Sequence, residues 1–178
     1  MADTRDRHVA IRQAGHAFMY LVEGAKLDGV SVEDDGTGRD GFVQIADDDF
    51  HVGEIEGDHH FSIDEITADL RVTCAGYCAE IVHLGGSIDP QSVNTDVLLT
   101  DDTCDILMTL IDVGVALNED NGHEFLQSAV DETTAILEEP AARRTVTALA
   151  EALIEHRELA GREAQKIMVN ALLESKAP

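Results

Sequence analysis

The chain is short of positive charge. Lysine occurs only at Lys26, Lys166 and Lys176, and with arginine the cations number 12 against 36 aspartates and glutamates, a net charge of -24 over 178 residues. A field of that sign repels phosphate backbones and anionic bilayers, so nucleic acids and membrane surfaces are excluded as expected partners. Excess acid of this kind keeps a protein soluble at the cost of self-repulsion. Tryptophan is absent, proline and cysteine occur three times each, and the 14 glycines follow no collagen period. The cysteines, Cys74, Cys78 and Cys104, are odd in number and too sparse for a secreted disulfide framework, which points to reduced thiols in a cytoplasmic protein. No uncharged run approaches the roughly 18 residues of a bilayer span, and no charged-then-apolar leader follows Met1. No G-x-x-x-x-G-K-[ST] loop occurs, so ATP is not expected as a ligand.

What is present is apolar material enough for a core, 44% of the residues. A chain of this size is expected to form one domain, residues 1–178, with a first helix and small sheet over 5–60 and a helical remainder over 61–178. Ile11, Ala14, Phe18 and Leu21 recur at helical spacing and predict an amphipathic helix from about residue 5 to Gly24. Val30 and Val32, then Phe42, Val43 and Ile45, separated by Asp34-Asp35-Gly36 and Arg39-Asp40-Gly41 turn signals, predict a small β meander. Ser62 and Glu65 have capping-box spacing ahead of a periodic stripe that runs to Leu84, which predicts a second helix over 63–84. Residues 85–100 read as a loop, 102–117 as a further helix, and the rest as helices near 122–138, 140–157 and 160–174. Pro140 suits a first helical position and Gly161 a break. The fold class is α+β, mainly α-helical.

Chemistry concentrates in the first helix, where Arg12-Gln13-Ala14-Gly15-His16 puts positions 12 and 16 one turn apart on one face. The zinc-peptidase pattern H-E-x-x-H uses that spacing for two imidazole ligands, with the intervening glutamate polarising water. Here only His16 has the required chemistry. Arg12 stands at the first ligand position and never loses its proton, while the Gln13 carboxamide cannot serve as a base.

The flanking residues extend the likeness. Gln13-Ala14-Gly15-His16-Ala17 resembles the His-Glu-Ala-Gly-His-Ala core of the FtsH-type AAA+ zinc protease family. Val30-Ser31-Val32 through Gly38 to Gly41-Phe42 resembles that family's hairpin, and Ala75-Gly76-Tyr77-Cys78-Ala79-Glu80 its Ala/Gly-Gly-Arg-Ala-Ala-Glu helix. Thr100 to Asp105 falls where the family has Thr-Gly-Ala-Ser-Asn-Asp, and Leu149 to Leu159 with Gly161 resembles its closing helices. The resemblance implies a zinc-peptidase-like helical domain standing alone, without ATPase or membrane segments. It implies Asp105 as the third metal ligand beside His16, if any metal binds.

With ligand and base both replaced, the resemblance implies a non-catalytic pseudoprotease, a protein- or peptide-binding or self-assembling module with no cofactor. The alternative is a metal-dependent hydrolase rebuilt on His16, Asp105 and a third ligand such as Glu80 or a cysteine, with zinc as its cofactor. His8 lies eight residues from His16, about 12 Å along a helix, too far to share an ion. Cys74 and Cys78, one turn apart, offer half a zinc site with His16 or Cys104, against a simpler role as small buried residues. His51, His59 and His60 beside Asp47-Asp48-Asp49 and Asp58 read as solvated turns. Cys104, next to Asp105, has no basic neighbour to activate it as a nucleophile. If the metal is gone, the Arg12 guanidinium is expected in its place, paired with Asp105 or, failing that, Glu80, leaving His16 a hydrogen-bonding residue. Gly15 and Gly76 are expected where helices approach closely.

Overall fold

In the computed structural model, residues 4–34, 40–46, 63–85 and 119–174 are described. Helix α1 spans Thr4–Val22, strands β1 and β2 span Leu27–Asp34 and Asp40–Ile45, and α2 spans Ile63–Leu84. Then come α3 (Glu119–Glu138), α4 (Pro140–His156), strand β3 (Glu158–Ala160) and α5 (Gly161–Glu174). The protein is mainly helical with one small antiparallel sheet, as its periodicities require. The expected loop over 85–100 and helix over 102–117, and the Ser62 half of the capping box, lie outside the described residues.

Helix α1 is the axis of the fold. Val9, Ala10, Ala14, Ala17, Phe18 and Met19 are all buried, because α2, α4 and the sheet cover α1 from different sides. A helix wrapped in this way buries more than the single stripe that amphipathic spacing predicts. It stops where expected: Gly24 takes φ +87, and its N–H donates to the Leu21 carbonyl at 3.2 Å. Gly85, at φ +73, closes α2, its N–H donating to the Ile81 carbonyl at 3.1 Å. Pro140 opens α4 at its first turn, where a missing N–H costs nothing.

The sheet corrects one expectation. The chain after residue 61 is not purely helical, because Glu158–Ala160 between α4 and α5 forms a third strand. The order is β2-β1-β3, with β1 central, Val30 opposite Val43 on one side and Leu159 on the other. Leu159 is buried against this strand at 2% exposure. Arg157 makes the corner. Its backbone sits at φ 67, unusual outside glycine, its carbonyl accepts from Val32 N–H at 2.9 Å, and its guanidinium holds Glu33 at 2.6 Å and Asp6 at 3.0 Å. Gly161 follows at a point where any Cβ would strike the Leu27 carbonyl, so the break expected there is a backbone crossing that only glycine fits.

Candidate functional site

The site is the crossing of α1 and α2. A Cβ on Gly15 would lie 2.5 Å from the Ala79 Cβ and 2.8 Å from the Ala75 carbonyl oxygen, so the two backbones meet at this glycine. One turn away the relation reverses: a Cβ on Gly76 would strike the His16 Nε2 and lie 2.6 Å from the Arg12 Cγ. The absent side chain at 76 is therefore what gives the imidazole and the arginine stem room to lie side by side. Ala75, Gly76 and Ala79 keep α2 narrow along this seam, and Ala75 and Ala79 are fully buried.

His16 is fixed by one strong contact, Nδ1 to the Val72 carbonyl oxygen at 2.8 Å. A carbonyl only accepts, so Nδ1 carries the proton and Nε2 keeps its lone pair in the neutral ring. Burial lowers the pKa of His16, the Val72 bond partly opposes that, and the Arg12 charge reinforces it. The ring is thus held neutral at physiological pH.

Arg12 turns to α2. Its Nη2 donates to both oxygens of Glu80, at 3.1 and 3.2 Å, and His8, a turn earlier on α1, places Nδ1 3.5 Å from the same carboxylate. The expected fallback pairing with Glu80 is thus present, at the surface of the crossing, with the Arg12 side chain 44% exposed and Glu80 15%. The reason is the glycine seam: α2 passes so close to α1 that a long side chain leaves along the surface of the crossing. Gln13 faces the other way. It is 6% exposed, and its Cγ and Nε2 lie where a Cβ on Gly41 of β2 would come within 2.9 and 3.1 Å. Positions 12 and 13, which H-E-x-x-H chemistry joins across one metal, are here turned to α2 and to the sheet.

Among the described residues, no group of three His, Cys, Asp or Glu side chains is placed to hold a metal ion. Among the described residues near position 12, Glu80 accepts from the Arg12 guanidinium and His16 Nδ1 donates to the Val72 carbonyl. Asp105, Cys104, His51, His59 and His60 lie outside the described residues. Cys74 and Cys78 are free and fully buried, and Cys78 Sγ reaches the Val130 carbonyl of α3 at 3.8 Å, on the side of α2 away from α1. Burial pushes Cys74 up to about 12 and Cys78 up to about 11, so both stay as thiols.

Two participants were not visible in sequence. His8, too far along the helix to share an ion with His16, lies 3.5 Å from the Glu80 carboxylate, and the Val72 carbonyl that sets the His16 tautomer belongs to no motif. In comparisons with known proteins, no family model matches the chain, and no curated protein matches it either.

Proposed function

We propose that this chain is a non-catalytic member of the FtsH-type peptidase fold, a pseudoprotease that serves as a protein- or peptide-binding or self-assembling module. One observation carries the reading: at the position where the peptidase pattern requires a metal-binding imidazole, Arg12 is committed to Glu80, and the neighbouring Gln13 is packed under β2. A hydrolase of this class needs a ligand and a base converging on one water, and these two side chains diverge. Helix-seam packing and the sheet beside α1 form without them, which is compatible with a binding module. The test is incubation with an unfolded, fluorophore-labelled casein, with and without added zinc. No cleavage is expected in either case, and zinc-stimulated cleavage abolished by His16→Ala would refute the reading.

A second reading has one observation in its favour. An imidazole whose Nδ1–H is tied to a backbone carbonyl, with its other nitrogen bearing the lone pair, is oriented as metal-binding histidines are. In that reading His16, Asp105 and Glu80 are the ligands of a rebuilt site, and Arg12 must first release Glu80.

A further inference from the structure

Away from the α1–α2 crossing, the end of α2 meets the outer face of α4 in an open pocket of about 380 Å3 lined by His83, Arg143, Arg144, Thr147 and Glu151. The arginines stand out in a chain of charge -24. Arg12, Arg71 and Arg157 each hold a carboxylate, whereas Arg143 and Arg144 form no ion pair among the described residues. Arg143 instead donates through Nη2 to the Val82 carbonyl, which anchors it over the end of α2. Both arginines lie in the first turns of α4, the positive end of its dipole, where cations are disfavoured. That first turn holds no acidic residue, and the Glu139 side chain makes no capping bond.

His83 completes the wall. Thr147 Oγ1 donates its single proton to the Arg143 carbonyl at 2.8 Å, so at 3.4 Å it accepts from His83 Nδ1–H. The other ring nitrogen, Nε2, is buried and has no partner among the described residues. With the hydroxyl and imidazole protons spent on each other and on the Arg143 carbonyl, the groups in this hollow that attract oxyanions are the two guanidiniums. The opposing charges are Glu151, which sits at the far rim about 10 Å along the helix from Arg144, Glu138 and Glu139 at the start of the helix, and the acid excess at large. In physiological salt the latter is screened beyond about 8 Å, so the local cations decide.

We propose that this pocket binds a tetrahedral dianion of the phosphoryl class, gripped by Arg143 and Arg144, with Glu151 limiting its affinity. Two adjacent monocations balance a dianion, and guanidinium forks match its oxygens. The pocket is large enough to admit a small organic body attached to the phosphoryl group.

The test is titration of the whole protein with sodium sulfate, inorganic phosphate, glycerol 3-phosphate and acetate in low-chloride buffer at constant ionic strength. It is read by calorimetry and by the His83 ring signals in NMR. Saturable binding of sulfate and phosphate, with a shift at His83 and acetate at least tenfold weaker, is the expected result. Tighter binding of glycerol 3-phosphate than of phosphate assigns the ligand as a phosphomonoester, and equal binding assigns it as the free ion. Arg144→Ala should weaken sulfate at least tenfold, and Glu151→Gln should tighten it severalfold, a gain that misfolding cannot mimic. Absence of saturable binding, equal response to acetate, or no gain in Glu151→Gln would overturn the proposal.

Discussion

A single nitrogen of Arg12, Nη2, lies 3.1 and 3.2 Å from the two oxygens of Glu80 across 68 residues of sequence. The geometry is a shared donor, not the parallel two-nitrogen fork that makes arginine–carboxylate pairs strong. With the Arg12 side chain 44% exposed, such a pair contributes about 0.2–1 kcal/mol. Arg12→Ala should therefore cost no more than about 1 kcal/mol in urea unfolding, well short of the roughly 3–5 kcal/mol of a stranded buried charge. A loss in that upper range would mean that the pair is sealed from water.

The helix seam should be far less forgiving. At Gly15, with Ala79 Cβ and the Ala75 carbonyl already within 2.8 Å of any added Cβ, Gly15→Leu should destabilise by about 1–3 kcal/mol through overpacking. At about 2–4 °C per kcal/mol for a chain of this size, a thermal melt resolves the effect easily. Gly76→Ala drives against the His16 ring and should also displace the imidazole from Val72, visible as a change in its NMR tautomer signature. A melt of Gly15→Leu identical to the parent's would refute close packing.

Acid should weaken the fold before the carboxylates titrate. His16 and His83 both have pKa values lowered by burial from the ordinary 6.5, Arg12 adding to the effect at the first and Arg143 at the second. Below pH 6.5 the unfolded chain takes up protons that the native rings refuse, so their contribution is complete above that pH and falls away below it. His16→Gln, which keeps a donor for the Val72 carbonyl, should flatten part of this slope between pH 6.5 and 5. An unchanged slope would show that His16 does not titrate differently in the two states.

Salt should act in the opposite sense to its usual effect on ion pairs. With net charge -24, screening of repulsion between acids should outweigh loss of the few exposed pairs. The melting midpoint should rise from low salt to molar potassium chloride, and a flat response would show that the charges are already compensated locally.

How far the sequence reaches is set by the range of the interactions involved. Helices α1 and α2 and the close approach at Gly15 and Gly76 follow from 3.6-residue periodicity and from small residues in register, both local signals. Strand β3 does not. Three residues are too few for an alternating pattern, and Glu158-Leu159-Ala160 is extended only because Leu159 fills the space beside Val30 after α4 has returned the chain to β1. The site divides along the same line. Arg12, Gln13 and His16 are legible from their spacing, but the outward exit of Arg12 depends on how tightly α2 is pressed against α1. The hollow at Arg143-Arg144 depends on where α2 ends, which no local pattern around residue 143 records.

Metal content is the most direct measure of the central proposal, that Arg12 and Gln13 stand where metal chemistry would need a ligand and a base. Protein purified without chelator, and then exposed to zinc and desalted, should show no stoichiometric metal by elemental analysis. The double variant Arg12→His with Gln13→Glu should retain zinc under the same treatment, because it places a second imidazole one turn from His16 and frees Glu80. Stoichiometric zinc on the unaltered chain, lost in His16→Ala, would contradict the account and establish the rebuilt metal site in its place.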